Sequence, residues 1–455
     1  MENHEYSVGL DIGTTKIVTI VGRRNEHGKI EILGVGKAKS LGVHKGIVNN
    51  ISQTIQSIKA AVAEAQSSSG VAINKVTVGI AGKHIRSLQH SDYIMRENPD
   101  KYITEDDIEK LKEQVKKLVM LPGEEIIHVL PQDYKVDSEG EIQEPIGMHG
   151  KRLEANFHVV VGQMGSIRNI ARCVREAGLE MEALTLEPLA SSESVLTKEE
   201  KEAGVAIVDI GGGTTDIAIF KDNIIRHTCV IPYGGGIITD DIKEGCSIIE
   251  KHAEQLKVKF GSAVPELEKD STFVTIPGLH GRPDKEISLK TLAQVVNARV
   301  EEILEMVNTE LKAYGAFEQK KKLIAGIVLT GGGSNLRHLR QLANYTTGFD
   351  SRIGFANEYV ANDKSQQLKG PEYATSIGLL MESLKIRDKK NGIEPVEEVS
   401  EKAEPVEKQT VEAPEHPEFR TEEQEVLHTA ERRRHKLTIG QKIMESVKKF
   451  FEEVE

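Results

Sequence analysis

The sequence predicts an α/β fold of two homologous lobes with a cleft between them, and two matching segments carry that reading. Residues 7–21 form an apolar strand ending at Asp11, a turn of Gly13, Thr14 and Thr15, and a second strand opened by Lys16. Residues 205–220 repeat the unit, with Asp209, a turn of Gly211, Gly212, Gly213, Thr214 and Thr215, and another apolar strand. The shared Asp-Ile-Gly core recurs from position 11 to position 209, a period far too long for a solenoid. Each lobe therefore carries one such loop, and the two loops face a common cleft.

The residue types indicate what the loops hold. Glycine lets backbone N–H groups approach phosphate oxygens closely, threonine hydroxyls add donors, and Lys16 adds a point charge. Carboxylates beside phosphates require a cation between them, so Asp11 and Asp209 read as holding a hydrated Mg²⁺ through water. The expected ligand is a metal-bound nucleotide. Neither loop is a P-loop, because each glycine turn leads into a strand and Gly-x-x-x-x-Gly-Lys-Ser/Thr is absent. A third element, residues 327–337, is a buried strand stopping at Gly331, Gly332 and Gly333. Ser334 or Asn335 is expected to cap the helix that carries Leu336, Leu339 and Leu342, leaving bare glycine backbone for a flat base or ribose.

With these motifs in this order, the chain resembles the actin, Hsp70 and sugar-kinase ATPase superfamily, which implies ATP as the nucleotide and an actin-like fold. Residues 186–192 and 370–379 look like its two interdomain helices, rich in small residues that let helices cross closely. The resemblance implies that Glu187 orients the attacking water; a carboxylate in the first turn beside Pro188 equally suits the helix dipole. Residues 253–257 resemble the superfamily's Ala-Glu-x-x-Lys segment, implying that Glu254 and Lys257 reach ribose and adenine, whereas the same spacing also suits a solvated helix face. Residues 9–17, 209–220 and 233–242, the last containing Gly234 and Gly235, are similar to the FtsA family of bacterial cell-division proteins. That resemblance spans about residues 5–385 and the extreme C-terminus.

Length and composition agree with this organisation. A chain of 455 residues exceeds the size at which one core keeps growing, and 38% hydrophobic with 29% charged residues suits a soluble globular protein. The net charge of −12 argues against general nucleic-acid binding. Cys173, Cys229 and Cys246 show neither disulfide nor metal-ligand spacing, which suits a reducing cytoplasm. No signal peptide and no run of 18 apolar residues is present, so nothing is expected to span a membrane.

Along the chain, the first lobe is expected at 5–83 and 166–194, with an inserted subdomain at 84–165 in the place where FtsA-like proteins carry one. A helix from about Ile47 presents Ile51, Ile55, Ile58 and Val62. The insert shows a capping box at Thr104 and Asp107, a charged helix to about Val119, and strands near 125–136 and 153–161. The second lobe is expected at 195–384 with an inner insert around 245–305. There the resemblance implies a binding site for the acidic C-terminal tail of the tubulin-like ring protein FtsZ, with Lys290 and Arg299 as candidate cations or as ordinary solvated helix charges.

Residues 385–435 are rich in glutamate and proline and too poor in apolar side chains to offset ordering entropy, the composition of a disordered acidic linker. Residues 436–455 then place Ile439, Ile443, Val447, Phe450 and Phe451 on one helical face beside Lys448 and Lys449. Tethered without a core to join, that face needs a bilayer interface or a partner groove. The family resemblance implies a membrane anchor on an anionic lipid surface, although Glu452, Glu453 and Glu455 and the absence of tryptophan depart from the usual pattern.

The function implied is an ATP-binding protein that polymerises head to tail like actin and tethers FtsZ filaments to the cytoplasmic face of the inner membrane at the division site. Later membrane proteins of division would be further partners, and any ATPase activity would be weak. The alternatives are a small-molecule kinase, a chaperone-like ATPase, or another actin-like scaffold such as a pilus-assembly adaptor.

Overall fold

The computed structural model describes residues 6–26, 28–278, 283–356, 360–361 and 368–392. The first lobe opens with β1 (Ser7–Ile12) and β2 (Lys16–Arg24), an antiparallel hairpin that sets Asp11 against Val18. Every residue of β1 is buried, as its unbroken apolar run requires in a central strand. β3 (Ile30–Lys39) follows antiparallel to β2. A short hairpin, β4 (Val43–His44) and β5 (Ile47–Val48), precedes helix α1 (Ile51–Ser69). Ile47 is thus in a strand and not in the helix predicted from it. The helix starts after Asn50, whose side chain accepts from the Gln53 N–H and caps the first turn. β6 (Lys75–Ile80) returns parallel to β1.

The chain then leaves this sheet for a second one: β7 (Ile85–Met95), α2 (Glu105–Lys116), β8 (Glu124–Val136), β9 (Glu139–Ile142) and β10 (Arg152–Gln163). The strands are antiparallel in the order β7-β10-β8-β9. Its own core includes Leu111, Val115, Phe157 and Val159. Thr104 and Asp107 form the expected capping box at the start of α2, and Arg96 bonds to the same Asp107 carboxylate. α3 (Met164–Glu176) and β11 (Glu180–Leu186) lead back, completing a sheet of order β11-β6-β1-β2-β3.

α4 (Glu187–Val195) and α5 (Lys198–Ala203) cross to the second lobe. Its strands are β12 (Val205–Ile210), β13 (Thr215–Lys221) and β14 (Ile224–Ile231). α6 (Gly235–Gly245), α7 (Glu250–Phe260), β15 (Phe273–Ile276), β16 (Lys285–Ser288) and the long α8 (Leu289–Tyr314) come next. β17 (Gly326–Thr330), α9 (Leu339–Thr347) and β18 (Ser351–Ile353) complete the sheet, in the order β14-β13-β12-β17-β18. Both sheets thus pair a three-strand meander with a strand parallel to its first member and one further parallel strand, which is the duplication implied by the repeated hairpin.

α10 (Ala374–Lys390) crosses α4, and a Cβ built on Gly378 would lie 1.8 Å from the Ala190 carbonyl oxygen. Only glycine allows that approach. A core cluster there joins Val18 and Ile20 of the first lobe, Ile207 and Ala218 of the second, and Ile377 and Leu380 of α10. α10 also runs past residue 385, where composition alone begins the linker, because its end is anchored on both sides. Lys385 pairs with Glu193, Arg24 with Asp388 at 2.9 Å, and Lys390 with Glu182 at 2.8 Å. The rest of the acidic stretch and the C-terminal amphipathic segment lie outside the described residues. Among the described residues no helix is long and apolar enough to cross a membrane.

Candidate functional site

Each hairpin carries an aspartate one residue before the end of its first strand, so the two tips bring Asp11 and Asp209 to one cleft of about 380 Å³. The tips meet closely: a Cβ on Gly212 would lie 1.9 Å from Thr15 Oγ1, and one on Gly213 would lie 2.5 Å from Thr14 Oγ1. The glycines of the second loop therefore also make room for the threonines of the first. Lining the cleft are Asp11, Gly13, Thr14, Thr15, Lys16, Glu187, Asp209, Gly211, Gly212, Gly213, Thr214, Gly235, Glu254, Lys257, Gly331, Gly332 and Gly333.

Three candidates stand behind this wall instead. Thr215 Oγ1 donates to the Tyr233 carbonyl at 2.8 Å, and Gly234 packs against the backbone of Gly211 and Thr214. Ser334 Oγ donates to the Thr330 carbonyl at 2.6 Å. Neither Ser334 nor Asn335 caps a helix: both belong to a 3-10 turn, and α9 begins only at Leu339, after a left-handed His338. Asn335 instead donates to Glu372 at 2.9 Å.

The crossing helices hold the aspartates. Ser376 of α10 donates to Asp11 Oδ2 at 2.8 Å, while Ser191 of α4 and Thr375 of α10 donate to Asp209 Oδ2 at 2.6 and 3.0 Å. Burial pushes both carboxyl groups above their ordinary range, against these hydrogen bonds and the Lys16 charge. Glu187 is held well above the usual carboxylate range by burial and by Asp11, Asp216 and Asp209. Asp216 is pushed up to about 8 by burial and Asp209, and its Oδ1 is buried without a partner while Oδ2 accepts from Thr214 Oγ1.

A crowd of buried acids with an unsatisfied oxygen fits a cation nearby. Among the described residues, no group of three or more His, Cys, Asp or Glu side chains is placed to hold a metal ion.

Lys16 donates to the Glu372 carbonyl at 2.8 Å and lies 4.1 Å from the centroid of the Tyr373 ring. Burial lowers its pKa. Glu254 and Lys257 line the cleft, Lys257 mostly buried there and Glu254 still partly exposed. Lys257 Nζ donates to the Gly235 carbonyl and to Thr239 Oγ1, each at 2.8 Å, and pairs with Glu254 at 2.7 Å.

Lys290 and Arg299 lie on α8, outside the cleft lining. Lys290 pairs with Asp270 at 2.7 Å. Arg299 is not a free cation, because Asp241 takes its Nε and Nη2 donors and Glu302 takes Nη1.

Sequence reasoning missed Asp216, Lys37, Glu372 and Thr375, which also line the cleft. Asp216 was accessible: each loop's last threonine, Thr15 or Thr215, is followed by a charged residue, Lys16 in the first copy and Asp216 in the second. Glu372 and Thr375 carried no such signal, since only the helix crossing brings them in.

Two family descriptions match the chain, "Cell division protein FtsA" at residues 206–378 and "SHS2 domain inserted in FTSA" at residues 82–161. The cell division protein FtsA of Pseudomonas aeruginosa is 41% identical over 378 residues, covering 83% of this chain and 89% of that protein. The Escherichia coli K12 protein of the same name is 35% identical, covering 82% and 89%. Among solved structures, the "PilM-PilN type IV pilus biogenesis complex" superposes with a TM-score of 0.61 at 16% identity, covering 84% of this chain and 99% of that one. At that identity the likeness concerns the fold alone. The two-lobed actin-like ATPase fold with an insert, expected from the sequence, is the fold observed.

Proposed function

The chain belongs to the FtsA family of bacterial cell-division proteins, and we propose that it binds Mg-ATP in the cleft, assembles head to tail and tethers FtsZ polymers to the membrane. The observation that carries the nucleotide reading is the meeting of the two hairpin tips, threonine against glycine, around buried acids and lysines.

In this reading, backbone N–H groups of the glycine turns and the hydroxyls of Thr14, Thr15 and Thr214 hold phosphate oxygens. Asp11 and Asp209, each steadied by helix hydroxyls, hold the water shell of Mg²⁺. When bound, that cation offsets the triphosphate charge. Glu254, Lys257 and the Gly331 to Gly333 turn form the side of the cleft suited to ribose and base. Glu187 orients the attacking water. Thr215, Gly234 and Ser334 support the walls from behind.

Family membership supports the rest. The FtsZ tail is acidic and would meet the second lobe near Lys290. The apolar face of the C-terminal segment, flanked by Lys448 and Lys449, would attach the protein peripherally to anionic lipid on the cytoplasmic face at the division site. Later membrane proteins of division would be further partners. The two relatives, at 41% and 35% identity, both carry the cell-division name, which disfavours a kinase, a chaperone or a pilus adaptor.

Vesicle flotation with FtsZ tests the proposal, using the full chain, a chain ending at residue 392, and Asp209→Ala, each with and without Mg-ATP. FtsZ should float only with the full chain, and Asp209→Ala should lose most of its nucleotide affinity. Equal FtsZ flotation with the truncated chain would sink the tether, and unchanged ATP affinity in a folded Asp209→Ala protein would sink the cleft assignment.

A further inference from the structure

The inserted sheet touches both lobes, and one of its contacts reaches the residue that precedes Glu187. Among the described residues, β11 is the edge strand of the first lobe's sheet, with β6 as its one strand neighbour. Its last residue, Leu186, is also the N-cap of α4, and no side chain of its own satisfies that helix start. The inserted sheet supplies the missing partner: the Leu186 N–H donates to His128 Nε2 at 3.0 Å. A register shift in β8 opposite Val160 and Val161 leaves Ile127 unpaired and re-aims the strand at this point.

Burial pushes the His128 imidazole down to about 4, so at neutral pH its Nε2 carries a lone pair, and the accepted hydrogen bond puts the ring proton on Nδ1. Glu187 is the next residue after Leu186. Its side chain packs over β6, where a Cβ on Gly79 would lie 3.0 Å from Glu187 Cγ. Glu187 thus has its side chain against the first lobe's sheet, while the backbone of the residue before it is held by a histidine of the inserted one.

The same inserted sheet is fastened to β14 of the second lobe. Gln132 Nε2 donates to the Ile225 carbonyl at 2.6 Å, and Ser87 Oγ to the Thr228 carbonyl at 3.1 Å. His158 Nε2 lies 2.8 Å from Thr228 Oγ1, and Arg226 pairs with Asp133 at 2.7 Å. Any load on the insert, or any shift of β14 as the lobes close, therefore reaches Leu186 through β8.

We propose that His128 is a positioning residue for Glu187, through which the inserted sheet sets the rate of ATP hydrolysis. This rests on the reading of Glu187 as the group that orients water. Hydrolysis is sensitive to that placement because a misplacement of an ångström in a reacting group costs orders of magnitude in rate.

The test measures single-turnover phosphate release and ATP affinity on the full-length protein with Mg²⁺, for wild type, His128→Leu, His128→Gln and Glu187→Gln. His128→Leu removes the acceptor and should slow release by about tenfold while ATP affinity stays within about twofold. His128→Gln, whose amide oxygen accepts the same N–H, should keep the wild-type rate. If His128→Leu does not fold, His128→Asn takes its place, with an amide too short to reach Leu186.

Slow release in Glu187→Gln with a normal rate in His128→Leu would overturn the positioning role alone. Equal losses in the Leu and Gln variants would overturn it too, since a purely structural histidine shows no such rescue. Unchanged release in Glu187→Gln would overturn the reading of Glu187 and the proposal with it.

Discussion

Asp216 couples the stability of the cleft to pH. Its folded pKa of about 8 lies above the ordinary 3.8, so between those values the folded state keeps a proton that the unfolded state has lost. The stability this contributes is present below the unfolded pKa and is lost as pH rises through about 8. Glu187, also raised by burial, acts in the same direction. Asp216→Asn removes the liability. Without nucleotide or divalent cation, it should melt above wild type at pH 8 and together with it near pH 4. With Mg-ATP the order should reverse, because the variant lacks an acid that faces the cation. Thermal melts across pH with and without Mg-ATP check this, and parallel pH curves for the two proteins would contradict it.

At the scale of elements, the crossing of α4 and α10 matters most. It brings Ser191, Thr375 and Ser376 to the two aspartates, and it exists because Gly378 lets α10 lie on the Ala190 carbonyl. Gly378→Ala inserts a methyl group where there is no room. It should destabilise by about 1–3 kcal/mol and weaken nucleotide binding, since the hydroxyls withdraw as the helices part. Gly165→Ala in α3 is the control: a Cβ there meets nothing within 4 Å, and alanine favours a helix. Urea unfolding and ATP titration of both variants decide it. Equal behaviour of the two would mean that the crossing is loose enough to absorb a side chain.

For the whole molecule, attachment should depend on assembly. Phe450 and Phe451 together contribute on the order of 3–6 kcal/mol of transfer free energy if both are buried in a bilayer interface. Their double replacement by alanine should therefore lower liposome binding by about a hundredfold or more, with ATP affinity unchanged. A single helix binds weakly, and a filament presents many, so conditions that favour filaments should strengthen attachment of wild type far more than of the variant. Liposome co-sedimentation over rising salt reads both effects. Sedimentation of the variant with lipid as wild type does would turn attention to a partner groove.

The sequence by itself determined the doubled hairpin, the glycine turn at 331–333 and the two helices of small residues, because each is a local pattern whose chemistry is complete within a few residues. From these the two lobes, the actin-like fold and most of the cleft lining follow. Tertiary structure alone decided which side chains complete the site. Glu372 and Thr375 enter through a helix crossing, and His128 meets Leu186 across two sheets, contacts between residues far apart in the chain that no local periodicity encodes. Local propensity also misled where a tertiary contact overrode it. The stripe from Ile47 yields to a strand and an asparagine cap, and the expected cap at Ser334 yields to a 3-10 turn. Arg299, outwardly a free helix cation, is claimed by acids on α6 and on its own helix. A local pattern records what a segment prefers; the fold decides which distant groups it meets.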